Sequence, residues 1–222
     1  MESRFERNIG PISSQEQEIL FGKKVVIAGC GGIGGYLIEF LSRVGIGHIV
    51  CIDKDAFDET NLNRQILATE ETIGQKKAEC AEKRVHSIWR NCKVLGIVAD
   101  MNPETLPDLI NGTDLVLDAL DNGNTRIALA KACRDAKIPL AHAAASGWKV
   151  QASIIRPEKN LYELLYSKEQ RQIDGVLPFT AAAAANLQAA LVVQYLCRGA
   201  SDAPDVLHVL DLLDMTMEKI NY

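Results

Sequence analysis

Apolar and polar positions along the chain follow two periods, and the points where one gives way to the other mark out the elements. Lys24-Val-Val-Ile-Ala28 is a short run of branched apolar residues ending in glycines. Leu37, Phe40, Leu41 and Val44 recur at helical spacing, and Ile49-Val-Cys-Ile52 reads as a second strand, so the segment predicts a βαβ unit. A helix at about 75–89, a strand at Val94–Val98, and a helix opened by Asn102-Pro103 continue the alternation, with Asn as cap and Pro at the first helical position. Leu115–Asp118 and Pro139–Ala143 supply two further strands with a helix between them. Alternation of this kind predicts an α/β fold, a mostly parallel sheet covered by helices on both faces.

The rhythm changes at both ends. Ser13-Ser14-Gln15-Glu16 reads as a capping box opening an N-terminal helix, behind an arm, residues 1–12, expected to be irregular. After about residue 145, Lys149–Ile155 reads as a strand without a preceding helix, and 157–178 shows no clear period. Thr180–Cys197 is an Ala-rich apolar helix, and Val206–Leu210 with Thr216–Ile220 predicts an antiparallel hairpin. The expectation is one domain over 1–222: an arm and helix to 22, a βαβ core over 23–145, and a crossover segment, helix and hairpin over 146–222.

Composition narrows the function classes. The 29 acidic residues against 24 basic ones give a net charge of -5, which weighs against a surface built for nucleic acid. No apolar run reaches the ~18 residues a membrane span needs, and the start MESRFERNIG is charged, so a cytoplasmic protein is expected. Cys30, Cys51, Cys80, Cys92, Cys133 and Cys197 form no C-x-x-C pair and read as buried thiols rather than a metal site.

Gly29-Cys30-Gly31-Gly32-Ile33-Gly34 follows the first strand and opens the first helix, the setting in which such glycines let a nucleotide's phosphates approach backbone amides. Asp53, nineteen residues beyond Gly34, stands where a carboxylate can accept both ribose hydroxyls of a Rossmann-like site. These features fit ATP and NAD equally. What separates them is the added set Asp55, Asn61, Arg64, Gln65, Lys76, Lys77 and Asp118-Ala-Leu-Asp121-Asn122: a triphosphate needs its charge neutralised and a dinucleotide does not.

Arg4-Phe-Glu-Arg7-Asn-Ile, the glycine loop, Asp53-Lys-Asp55, Asn61-Leu-Asn-Arg-Gln65, Gly74-Gln-Lys-Lys77 and Asp118–Asn122 together resemble the ThiF/MoeB/HesA family, bacterial relatives of ubiquitin-activating enzymes, over nearly the whole chain. The resemblance implies an Mg²⁺·ATP-dependent adenylyltransferase that activates the C-terminal carboxylate of a small ubiquitin-like sulfur-carrier protein and leaves the acyl-adenylate to a separate sulfur donor. It implies that Gly29, Gly31, Gly32, Gly34, Asp53 and Asp55 line the nucleotide and that Asn61, Arg64 and Lys77 hold its phosphates, with Gln65 beside them. Asp121 would hold Mg²⁺. It further implies a homodimer in which Arg7 of one subunit reaches the other's ATP site. Zinc-carrying members have a C-x-x-C pair where Leu161 and Leu164 stand here, so no zinc is expected. Members with a nucleophilic cysteine carry it before a Gly-Val pair, whereas Arg171-Gln-Ile-Asp174 precedes Gly175-Val176 here.

Three rivals stand beside this reading. An NAD-dependent oxidoreductase would share the glycine loop and Asp53 but needs an acid/base residue facing the nicotinamide, and none stands out. A non-catalytic binding module would commonly lose Arg64, Lys77 or Asp121. Within the enzyme reading, another carboxyl or a modified tRNA base could be the substrate. His142, at the end of the fifth strand, reads as a supporting or packing residue before a catalytic one.

Overall fold

The computed structural model describes residues 2–166, 175–199 and 205–222. Among them, strands β1 (Lys24–Ala28), β2 (His48–Ile52), β3 (Lys93–Ile97), β4 (Leu115–Asp118) and β5 (Leu140–Ser146) run parallel. Strands β6 (Lys149–Ile155), β7 (Val206–Asp211) and β8 (Thr216–Asn221) continue the same sheet antiparallel, in the order β3-β2-β1-β4-β5-β6-β7-β8. The α/β expectation holds, including the C-terminal antiparallel strands.

Successive residues of β1 enter different cores, as the two-residue period of a strand demands. Val25 and Ile27 pack with α1 (Ser14–Gly22), α2 (Gly32–Val44), α3 (Lys77–Ile88) and α7 (Pro178–Arg198). Val26 and Ala28 pack with α4 (Leu106–Leu109), α5 (Gly123–Asp135) and α6 (Leu161–Tyr166). Helix α2 forms because Ile33, Leu37, Ile38 and Leu41 fall on one buried face, and it stops at Gly45, whose φ of 96° suits the left-handed cap. Helix α7 is long and apolar enough by length and composition to cross a membrane, yet Ala181, Ala184, Ala185 and Val192 are buried in the core. Its small residues let it lie close to α2: a Cβ added at Gly32 would meet Ala181 Cβ at 3.6 Å.

Three local expectations change. Residues Ser3–Asn8 form a 3-10 helix rather than an irregular arm, because Phe5 is buried edge-on between Phe21 and Trp89, 5.0 Å from each ring, and Arg4 Nη1 donates to the Ile88 carbonyl. Asn102 does cap, accepting from the amides of Glu104 and Thr105, but it caps a turn, and the helix beyond begins only at Leu106. Within the stretch without a clear period lies α6, where Leu161 and Tyr162 bury against the second core. The Arg171–Asp174 stretch lies outside the described residues.

From β1 the chain winds through β2 to β3, then crosses to β4 on the other side of β1 and proceeds outward. The loops leaving β1 and β4 therefore diverge above the sheet, and ligands of open α/β sheets bind in the crevice so formed.

Candidate nucleotide site

The loop after β1 is built around glycines, two of which, Gly29 and Gly34, leave no room for a side chain. Gly29 has φ 97°, and a Cβ there would sit 2.7 Å from the Ala119 carbonyl oxygen; one on Gly34 would sit 1.9 Å from the Gly29 carbonyl. Gly31 and Gly32 face different neighbours: added Cβ atoms would lie 3.6 Å from the Gln65 side chain and 3.6 Å from Arg64 Cγ. Gly31 is the N-cap of helix α2 and offers no side-chain cap, an arrangement that suits a ligand at the helix's first-turn amides and dipole. Asp53, at the top of β2, accepts from the Cys30 amide with Oδ2 and from the Asp55 amide with Oδ1, each at 2.8 Å. Both oxygens keep lone pairs, so the carboxylate is braced and still able to accept hydroxyls.

Residues 58–65 bring the amide and guanidinium groups to this loop. Asn61 is buried and ties the turn together, donating to Asp58 Oδ1 and accepting from the Asp58 amide. Arg64 is held by the Thr60 carbonyl at 3.0 Å and Asn63 Oδ1 at 2.8 Å, with no ion pair among the described residues. Gln65 is only 6% exposed, and its Oε1 has no hydrogen-bond partner among the described residues. An orphaned acceptor of this kind, beside a glycine whose missing side chain leaves space, fits a ligand that brings its own donors. Lys77, 8% exposed at the N-terminus of α3, has its Nζ 5.8 Å from the centre of the Phe57 ring and no ion pair among the described residues. Its charge acts on Cys30 in the glycine loop and on Asp58. Lys76 points elsewhere, to the Lys54 carbonyl. Asp55 is exposed, and its carbonyl accepts from the Lys77 amide.

The β4–α5 loop closes the other wall. Asp121 is exposed, and no side-chain hydrogen bond or ion pair engages it among the described residues. Asn122 caps α5, accepting from the amides of Asn124 and Thr125. A lone carboxylate matches how magnesium is usually held beside a nucleotide, by one or two carboxylates with phosphates and water completing the shell. The residues therefore fit Mg·ATP, and Asp121 is the side chain that would hold the ion.

Sequence reasoning missed what lies behind that loop. Asp118, fully buried at the end of β4, takes Arg126 Nη1 at 3.1 Å, Tyr162 Oη at 2.5 Å and His142 Nδ1 at 3.1 Å. Burial alone would raise its carboxyl, but Arg126, His142 and Tyr162 outweigh that and hold it below the usual carboxylate range. Burial pushes His142 below the ordinary histidine range, and its Nε2 accepts from Gln151, so the ring is neutral with the proton on Nδ1 facing Asp118. Burial pushes the Tyr162 hydroxyl well up and Tyr166 to about 12, so both stay protonated. His142 thus supports rather than reacts. A charge ending an otherwise apolar strand and two tyrosines four apart were the available signals.

Arg7 is not at this site in its own chain. It is exposed on the N-terminal 3-10 helix, which packs beside the C-terminal ends of α2 and α3: Asn8 Nδ2 donates to the Val44 carbonyl. The thirteen residues of α2, about 20 Å at 1.5 Å each, separate it from the glycine loop. The thiols are quiet. The Cys51 thiol and burial push Cys30 well up, and burial raises Cys197.

The sequence matches the ThiF family over residues 5–222. It is 29% identical to the SAMP-activating enzyme E1 of Haloferax volcanii over 99% of this chain and 84% of that protein. It is 32% identical to the molybdopterin-synthase adenylyltransferase of Salmonella typhimurium over 65% of this chain and 58% of that one. It is also 36% identical to the tRNA threonylcarbamoyladenosine dehydratase of Bacillus subtilis, over 62% of this chain and 54% of that one. The chain thus matches little more than half of each of the latter two. The fold is that of E. coli MccB crystallised with ATP, with a TM-score of 0.85 at 23% identity over 100% of this chain and 72% of that one. With the family's match running from the N-terminal 3-10 helix to the last residue, the chain belongs to the ThiF family.

Proposed function

We propose that the chain is an ATP-dependent adenylyltransferase that activates the C-terminal carboxylate of a small ubiquitin-like sulfur-carrier protein. The observation that carries this reading is a pair of cations with no ion pair among the described residues, Arg64 and Lys77, set with the Gln65 oxygen, unbonded among those residues, around an uncapped helix N-terminus. Positive charge of that kind suits a triphosphate whose pyrophosphate must leave. Asp53 would hold the ribose. The carrier's carboxylate, already ionised at neutral pH, attacks the α-phosphorus; the bond to pyrophosphate breaks, and acyl-adenylate and pyrophosphate are the products. Mg²⁺ would neutralise phosphate charge when bound at Asp121. Arg64, Lys77 and a partner's arm arginine supply fixed positive charge that needs no reorganisation as the bond breaks. The relatives named for SAMP activation and molybdopterin synthase support a protein carboxylate as substrate.

The relative named for a tRNA-modifying reaction favours a second reading, in which the acceptor is a modified tRNA base. The net charge of -5 weighs against it. Calorimetry with ATP, NAD, a carrier and tRNA separates the possibilities: the proposal expects ATP binding and a carrier that binds the ATP-loaded protein. Binding of NAD without ATP would overturn adenylation, and binding of tRNA in place of any carrier would overturn the substrate class.

A further inference from the structure

The buried cluster around Asp118 contributes nothing directly to the proposed chemistry, yet its bonds end on the loop that carries Asp121. Asp118 Oδ1 accepts the Leu120 amide at 3.0 Å, while Arg126 Nη2 donates to the Leu120 carbonyl. Both backbone polar groups of the residue before Asp121 are therefore held by the two partners of one ion pair, Asp118 and Arg126, themselves 3.1 Å apart. From the other side, the Ala119 amide donates to the Ala28 carbonyl at 2.9 Å, and the Ala119 carbonyl lies where Gly29 has no side chain. Asp121 thus leaves from a stub fixed on both sides. The clamp is itself anchored: Arg126 Nη1 donates to the Ala143 carbonyl at 3.1 Å and to Tyr166 Oη at 2.7 Å, and Tyr162 donates to Asp118.

If the cluster served only to join β4, α5 and α6, apolar side chains would do so at least as well, because a buried ion pair rarely adds net stability over well-packed hydrophobic residues. A planar guanidinium that spans a carboxylate and a loop carbonyl does something an apolar residue cannot: it sets the direction of that loop. We propose that Arg126 and Tyr162 are positioning residues that fix the Ala119-Leu120 stub so that Asp121 is set to receive magnesium. This rests on the reading of Asp121 and Mg·ATP given above.

The test uses the full-length chain with Mg²⁺ and ATP alone, no carrier being needed. Arg126→Lys keeps the charge but loses the fork; Tyr162→Phe removes one hydroxyl and is the decisive variant should Arg126→Lys fail to fold. The free Mg²⁺ needed for half-maximal ATP binding should rise about tenfold in Arg126→Lys, as for loss of a partner that orients a metal ligand, and by less in Tyr162→Phe. Amide exchange at 119–122 should speed up in both, with the amides of α2 unchanged. Folded variants that keep the wild-type Mg²⁺ requirement would overturn the positioning role, whether or not they melt earlier. A wild-type chain that binds no Mg·ATP would overturn the adenylation reading and this inference together.

Discussion

At the scale of single residues, the proposed site separates groups assigned to the nucleotide from groups that would hold them still. In our proposal Arg64 belongs to the first kind: its guanidinium is held by two neutral acceptors and makes no ion pair among the described residues, which suits a charge that acts on phosphate. Arg64→Ala should cost about 2–4 kcal/mol of transition-state stabilisation, read as a fall in kcat/KM for ATP–pyrophosphate exchange, with the melting temperature little changed. His142 belongs to the second kind, with Asp118, Arg126, Tyr162, Tyr166 and Gln151 around it. The folded chain keeps its ring neutral, while the unfolded chain takes up a proton below about pH 6.5, so this contribution to stability is complete above that value and is lost as pH falls through it. Melting temperature should therefore drop from pH 7 to pH 5, and His142→Gln should drop less; since His48 and His208 are lowered in both proteins, the difference isolates His142. An identical pH slope in the variant would contradict the assignment. The glycine loop and Asp53 beside it could be read from the sequence because a strand, a glycine-rich turn and a helix start follow a local rule, whereas the roles of Arg64 and Asp121 came only from the family resemblance. The Asp118 cluster could not, because it joins residues from 118 to 166 that only the crossing of β4, β5, α5 and α6 brings together.

At the scale of elements, the strand, glycine loop and helix of β1 and α2 form the unit on which the proposed binding depends, and its glycines divide by what a side chain would strike. Gly34→Ala would drive a Cβ into the Gly29 carbonyl, so the protein should lose about 1–3 kcal/mol or more of stability along with ATP binding. At Gly32 a Cβ would find only ordinary contacts with Ala181 and Arg64, so Gly32→Ala should melt near the wild-type temperature while binding ATP more weakly. Calorimetry and thermal melts of the two variants check the contrast; equal loss of stability in both would undo it. The elements themselves were legible wherever a period ran for a full strand or helix: β1 and β6 begin and end where the pattern placed them. Helix α6 escaped because six residues give too little periodicity to read, and the arm was misjudged because one aromatic, Phe5, orders it through rings distant in sequence.

At the scale of the whole molecule, the sheet sets the glycine loop at one end and the N-terminal 3-10 helix at the other, so if Arg7 serves the proposed nucleotide site it would do so in a second copy of the chain. We expect a closed two-fold dimer with two equivalent sites. Arg7→Ala and Arg64→Ala subunits, each impaired alone, should regain activity when mixed and allowed to exchange, because one site of each heterodimer then has both arginines; failure to recover despite exchange would place the arm elsewhere. The reaction should also stop at the adenylate, since all described thiols but Cys197 are buried and Cys197 itself is raised by burial. Intact-protein mass measurement with carrier and Mg·ATP should show no thiol-sensitive adduct. The central claim, activation of a protein carboxylate, is tested most directly by exchange of labelled pyrophosphate into ATP. Exchange should require a small carrier with its C-terminal carboxylate free and should vanish when that carboxylate is amidated. Absence of exchange with every carrier, alongside ATP consumption driven by tRNA, would contradict it.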